Sequence, residues 1–364
     1  MRGGTSKALF FHKHDMPPRE RWDAFLLDAM GSPDVNQIDG MGGANSLTSK
    51  VAIIEPAAAG AAHAIDYTFA QVSIAEASVH YKGNCGNISS AVAPFAVDEG
   101  LVPVGETSAT VRFRNTNTDK MLESIVKVTD GAFDPSGDCF IPGVPTPGSP
   151  VTMYFINPEG SVTGKRLPTG NATDTVHTSR GTARISIVDA ANPLVYVVAG
   201  EIGYTGTELP DQYTQADLNY FEEIRSAAAE LCGFAPKEQA TALSPGVPKM
   251  TLLAPPSDYV STSGKPVAAA DMDICVRMMS MQKPHRAVAL TGAVCTAVAS
   301  LTPDTLVYSL IANPITDTLR IGHPGGVMSV PVGYDGDGTI KAGALRTARR
   351  LSKGFIYTKA DHFA

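Results

Sequence analysis

Apolar and polar positions alternate along much of this chain, and that period-two pattern predicts strands. Residues 6–12 (SKALFFH) read as a first strand, and 19–30 as a helix that closes at Gly31. Three β-rich runs follow, SKVAIIEP (49–56), AIDYTFAQVSI (64–74) and ASVHYK (77–82). The pattern then changes. Residues 88–99 are mostly small and apolar and read as a buried helix, with Gly100 in the place of its C-cap. ATVRFRNTN (109–117), ESIVKVT (123–129) and SPVTMYFIN (149–157) return to strand character. Residues 157–174 are rich in Gly, Pro, Thr and Asn and read as a connection between halves.

The second half restarts with strands over 183–200, a helix over 217–233 and a strand over 249–256. Residues 272–281 fit strand and helix equally. CGNISSAVAPFAVDEGLV (85–102) and TGAVCTAVASLTPDTLV (291–307) are each a glycine-containing bend, a small-residue apolar helix and an exit ending in Leu-Val. They read as a faint repeat of two similar half-molecules.

Composition narrows the function class. The 364 residues suffice for two domains with a core in each, and 34 glycines with 26 prolines imply many turns and short strands. A net charge of −7 offers no basic face to nucleic acid or anionic lipid. Five cysteines without CxxC pairing favour reduced thiols and a cytoplasmic setting over a disulfide framework. The start of the chain lacks a signal-peptide pattern, and no apolar stretch is long enough to span a membrane.

Four clusters could carry chemistry. Cys85 lies in YKGNCGNISS, on a bend where a helix begins, and unpaired backbone N–H groups there favour thiolate over thiol. Asn84, Gly86 and Asn87 flank it, and the same donors could hold a carboxylate; the competing reading is an inert thiol beside a turn. Gly40, Gly42 and Gly43 precede Ser46, Thr48, Ser49 and Lys50, and Lys50 opens an apolar strand. Partial desolvation there would favour a neutral amine able to act as a base, against the alternative of a solvated lysine. The order is not that of a P-loop, whose lysine follows a strand. MRGGTSK gathers Arg2, Gly3, Gly4, Thr5 and Ser6 into a small cationic loop suited to a carboxylate, or simply a flexible terminus. His285 with Thr291-Gly292, and GHPGG with His323, Gly325 and Gly326, offer donors from the second half; each histidine alone reads equally as a satisfied core residue. His12 and His14 share a strand face but lack a third ligand, so no metal site is expected. Nucleotide, hydrolase and kinase signatures are missing. A cysteine, a lysine and anion-holding loops, with no cofactor, suit proton transfer at a carbon flanked by carboxylates.

The blocks MRGGTSK, GSPDVNQIDGMGGANSLTSK, GNCGN, LPTGN, IGYTGTEL, STSGK, MSMQKPH and GHPGG closely resemble the PrpF-type family from residue 1 to about 350. That family comprises 2-methylaconitate cis–trans isomerases, methylitaconate Δ-isomerases and 4-oxalomesaconate tautomerases. The resemblance implies an α/β (α+β) fold of two pseudo-symmetric diaminopimelate-epimerase-like domains. Each is a curled, mostly antiparallel sheet around a central helix, with the site in the cleft between. The domains are expected at 1–174 and 175–350, with a tail, 351–364, able to return to the first.

The resemblance also implies Lys50 and Cys85 as the catalytic pair, with base and acid roles left open. Cofactor-free epimerases of this fold use two cysteines; here Thr291-Gly292 stands where the second would be, and Cys295 follows inside the helix. The expected reaction is a 1,3-allylic proton shift in an unsaturated di- or tricarboxylate, with His285 and the GHPGG loop closing over a second carboxylate. The motifs lean towards methylaconitate or methylitaconate, with 4-oxalomesaconate tautomerisation as the alternative. A two-base racemase and a non-catalytic tricarboxylate-binding accessory protein are the rivals. The family suggests homodimers; no residue pattern establishes one.

Overall fold

The computed structural model describes residues 1–81, 85–141 and 143–363. The chain divides into two compact units, one of Met1–Phe155 with Leu345–Ala364, the other of Ile156–Ala344.

Unit one begins with a short hairpin, β1 (Arg2–Gly3) and β2 (Ser6–His12). Helix α1 (Trp22–Met30) follows, preceded by 3-10 turns at Lys13–Asp15 and Arg19–Arg21. It closes on Gly31 at φ 73°, where an added Cβ would come within 2.7 Å of the Gly40 backbone nitrogen. Strands β3 (Lys50–Pro56), β4 (Ile65–Val72) and β5 (Val79–His80) come next. β3 runs parallel to β2, pairing Ala8 with Lys50, and antiparallel to β4, pairing Lys50 with Gln71.

The helix expected over 88–99 is two pieces, α2 (Gly86–Ser89) and α3 (Val92–Asp98). Pro94 has no N–H to offer the Ser90 carbonyl, so the helical ladder cannot continue through Ser90 and Ala91. Ser89 and Ser90 meanwhile turn their hydroxyls back onto the carbonyls of Cys85 and Asn87. Strands β6 (Ser108–Asn115), β7 (Lys120–Thr129), β8 (Ala132–Phe133) and β9 (Val151–Ile156) complete the forward run.

The sheet of unit one is covered on both faces, and side-chain alternation sorts them. Ala52 and Ile54 of β3, with Tyr67 and Phe69 of β4, pack against Ile88, Ala91, Val92 and Phe95 of α2 and α3. Val51, Ile53, Ala70 and Val72 face the other way, onto Trp22, Phe25, Leu26 and Met30. Lys50 and Gln71 belong by parity to the first face.

Unit two contains β10 (Asp174–Thr178), β11 (Gly181–Ala190) and β12 (Asn192–Val198). Helix α4 (Gln215–Leu231) begins two residues before its expected start because Thr214 caps it, accepting from the Asp217 N–H while Asp217 accepts from Thr214. A short α5 (Ala240–Leu243), β13 (Lys249–Ala254) and the β14 (Tyr259–Val260)–β15 (Pro266–Val267) ribbon follow. The ambiguous 272–281 stretch is a strand, β16 (Ile274–Ser280), fixed by pairing with β13. After β17 (Lys283–Pro284) comes the buried helix α6 (Leu290–Ser300), then α7 (Leu306–Leu310), β18 (Thr318–His323) and β19 (Gly326–Tyr334). Residues 157–174, the connecting stretch, belong to this unit. The Asp189 carboxylate accepts from Ser161, Val162 and Thr163 there.

The chain then runs through β20 (Ile340–Arg346) to β21 (Ala348–Arg349), which pairs with β1 in unit one. The tail beyond lies on unit one, held by Arg350 on Asp98 and Lys353 on Glu99. Each unit is thus mostly sheet with one buried small-residue helix segment. No helix among the described residues is long and apolar enough to cross a membrane.

Candidate active site

Lys50 is the first residue of β3 and is only 7% exposed. Its ammonium nitrogen sits 2.5 Å from Gln71 Oε1 and 5.3 Å from the centre of the Phe69 ring. It is therefore not a solvated strand-end lysine. The Gln71 amide is fixed in turn, because its Nε2 donates to Ser49 O at 2.9 Å and to Ser46 O at 3.3 Å.

Cys85 occupies the N-cap position of α2, with extended backbone (φ −109°, ψ 98°). It is half-buried and packs against the same apolar cluster that Ala52, Ile54 and Phe69 line. Its carbonyl receives both the Ser89 N–H at 2.9 Å and the Ser89 hydroxyl at 3.1 Å. Since α2 is a single turn before the break, it contributes little macrodipole; what it offers is the local N–H groups that precede its first intrahelical bond. The Tyr67 hydroxyl is fully buried nearby. Burial, and then the Cys85 thiol, push its pKa well above the usual phenol range.

The MRGG loop is pressed onto this turn. A Cβ on Gly3 would lie 2.4 Å from Asn87 O, and one on Gly4, at φ +51°, 2.3 Å from Asn87 Oδ1. The Asn87 amide donates to Thr5 Oγ1 at 2.9 Å and reaches Ser6 Oγ at 3.5 Å. Ser6 opens β2, directly after Thr5, and β2 lies beside β3. Sheet register and loop contact together gather Thr5, Ser6, Lys50, Gln71, Cys85, Gly86 and Asn87 at one end of the unit-one sheet.

Other expected groups are occupied with the fold. Arg2 Nη1 donates to Gly4 O, Thr347 O and Thr347 Oγ1, bracing the hairpin, and burial next to Arg349 lowers its pKa. Ser49 is buried and donates to Gln37 Oε1 at 2.6 Å. Ser46 is exposed and contributes its carbonyl to Gln71. His12 pairs through Nε2 with Glu99 at 3.3 Å. Asn84 lies outside the described residues.

In unit two, Thr291 stands in the first turn of α6. Thr296 Oγ1 donates back to Gly292 O at 2.8 Å and lies 3.1 Å from the Tyr196 hydroxyl. Ser89 Oγ donates to Cys85 O in the same i to i−4 pattern in unit one. A Cβ on Gly292 would lie 2.2 Å from Met278 Cε and 3.0 Å from its Sδ. Cys295 is fully buried, its Sγ donates to Val188 O at 3.2 Å, and burial pushes its pKa to about 12.

His323 is buried, and burial, with Arg277 and His285 nearby, lowers its pKa to about 4. Its Nδ1 accepts from the Gly325 N–H at 3.1 Å, leaving Nε2 as the protonated nitrogen. The Tyr259 hydroxyl lies 2.7 Å from the carbonyls of both His323 and Gly326. His285 Nδ1 accepts from the Ala287 N–H.

Sequence reasoning missed Gln71 and Tyr67. A polar residue ending the inward series Tyr67, Phe69, Gln71 was the available signal for the first. The other depends on contacts distant in sequence.

A family model described as PrpF protein matches residues 1–359. The 3-methylitaconate isomerase of Eubacterium barkeri is 46% identical over 366 residues, spanning 99% of this chain and 96% of that protein. The 2-methyl-aconitate isomerase of Shewanella oneidensis is 39% identical over 377 residues, spanning 98% and 95%. A crystal structure of methylitaconate-delta-isomerase matches with a TM-score of 0.93 at 43% identity, covering 100% of this chain and 95% of that one. With a match over almost its whole length and relatives that align end to end, the chain belongs to the PrpF protein family.

Proposed function

We propose that this PrpF-type isomerase moves a proton along an allylic unit of an unsaturated di- or tricarboxylate, with Lys50 and Cys85 as the two proton-transfer groups. One group removes a proton from the carbon at one end of the C–C=C unit, and the C–H electron pair forms a new double bond. The former double-bond electrons spread into the attached carboxylate as a dienolate, and the other group returns a proton at the far carbon. No atom is gained or lost overall, and the double bond shifts or changes geometry. Donors from Thr5, Ser6 and the Gly86–Asn87 backbone are suited to the developing negative charge.

The observation that carries this reading is a nearly buried amine and a half-buried thiol on one face of one sheet. Neither is consumed in an ion pair with a carboxylate among the described residues. Either order of base and acid satisfies this balance, and the two roles are not assigned separately. The names of the relatives favour 2-methylaconitate, a methylitaconate or an aconitate-like acid as substrate. The two-thiol racemase is disfavoured by the full burial of Cys295. Five unpaired cysteines fit a reducing, cytoplasmic setting.

Incubating the purified protein with methylaconitate, methylitaconate, aconitate and oxalomesaconate in D₂O, followed by proton NMR, tests the reading. Deuterium should enter at an allylic carbon together with migration or a change in geometry of the double bond in one of the first three. Migration confined to oxalomesaconate would select the tautomerase. Exchange at a saturated stereocentre alone, or binding without exchange, would overturn the proposal.

A further inference from the structure

The side chain that meets the Lys50 amine directly is that of Gln71. Residues 50 and 71 are direct partners in the β3–β4 register. The amide of Gln71 has only one workable orientation. Its Nε2 faces three carbonyl oxygens, those of Ser49, Ser46 and, at 3.5 Å, Val72. A flipped amide would set its own oxygen against all three, so Oε1 is the atom that meets Lys50.

The carbonyls that hold Gln71 are themselves anchored. Ser49 O also accepts from the Val72 N–H at 3.1 Å, and the Ser49 hydroxyl donates to Gln37 Oε1. Gln37 is 1% exposed, and its amide also receives the Ala44 N–H and donates to Ser32 Oγ. A chain of hydrogen bonds thus runs from the buried Gln37, through the backbone of the loop before β3, to Gln71 and Lys50.

We propose that Gln71 is a positioning residue for Lys50, holding the amine by one N–H so that its remaining proton sites stay free for substrate. This rests on the reading of Lys50 as a proton-transfer group. An amide oxygen suits the task chemically. It accepts from both the ammonium and the neutral amine, and it cannot donate to the neutral amine's lone pair. A carboxylate in the same place would hold the proton on Lys50 by ion pairing. The Phe69 ring beneath the nitrogen limits its movement towards the sheet.

The test compares Gln71→Met, Gln71→Glu and Lys50→Ala with the parent enzyme by steady-state kinetics over pH 5–10, with circular dichroism as the check on folding. Gln71→Met keeps the side-chain length and removes the acceptor. Its kcat should fall about 10–100-fold with KM little changed, because the amine loses its orientation. Gln71→Glu should move one limb of the pH profile upward by about one unit or more, while the other stays. A merely structural glutamine would move neither limb. Two substitutions of opposite chemistry are used so that either decides if the other fails to fold. Folded variants with parental kcat and pH limbs, alongside an inactive Lys50→Ala, would overturn the role of Gln71 and leave Lys50 standing. Parental turnover by Lys50→Ala would overturn both.

Discussion

Replacing Gly3 by alanine adds one methyl group at the tightest approach between the N-terminal hairpin and the turn that carries Cys85. The added carbon would lie 2.4 Å from Asn87 O and 3.0 Å from Ala91 Cβ. Carbon–oxygen contacts become comfortable at about 3.3 Å, so something must move by about 0.9 Å. The hairpin cannot easily yield. β1 is paired on one side with β2 and on the other with β21, and the Gly4 N–H is tied to Thr347 O at 2.9 Å. The displacement therefore falls on the single turn of α2, two residues after Cys85. Overpacking of this kind costs about 1–3 kcal/mol, and a shift of about 1 Å at a reacting group costs about 100-fold in rate. Gly100→Ala supplies the comparison. Its φ is +66° but nothing lies within 4 Å of an added Cβ, so it should lose about 1 kcal/mol through backbone strain and keep its kcat. Urea unfolding and kcat measured on both variants decide the matter. Gly3→Ala with parental kcat and no more destabilisation than Gly100→Ala would refute the reasoning.

Gly292→Ala meets only the flexible end of Met278, so it should change stability by no more than about 1 kcal/mol in urea unfolding, whereas Met278→Ala, which empties a buried position, should cost about 2–5 kcal/mol. His323, held near a pKa of about 4 against an ordinary 6.5, stays neutral in the folded chain while the unfolded chain takes up a proton. Stability should therefore be full above pH 6.5 and fall as pH drops towards 4, by up to ~3 kcal/mol. His323→Gln should flatten the corresponding part of a stability profile between pH 7.5 and 4.5. Asp28 accepts from the Lys359 and Ala360 N–H groups and from His362 Nε2 at 3.0 Å, and Phe363 meets the Phe25 ring edge-on. Asp28→Ala should release the tail, seen as faster tryptic cleavage after Lys359 by mass spectrometry, with kcat unchanged.

Local patterning made most elements legible. The strand SKALFFH, the alternation in AIDYTFAQV and the small-residue run after Cys85 all lie where period and turn residues put them. Pro94 was visible, yet its effect depended on whether the Ser90 carbonyl needed a helical partner. What stayed hidden was set by register and by contacts across long sequence separations. Gln71 meets Lys50 only through the pairing of β3 with β4. Arg2 reads as a free cation until Thr347, 345 positions away, takes its guanidinium. Gly292 reads as another bend glycine, and its approach to Met278 from β16 shows only in the folded chain. Cys85 and Lys50 themselves were legible because each breaks its local pattern, a thiol on a bend and a charge opening a buried strand.

Two proton-transfer groups drawn from unit one alone are the centre of the proposed chemistry. The most direct test follows solvent deuterium into the substrate by proton NMR for Lys50→Ala and Cys85→Ala, each shown to be folded by circular dichroism. Each substitution is expected to lower exchange and double-bond migration by at least about 100-fold. Parental exchange in either variant would contradict it.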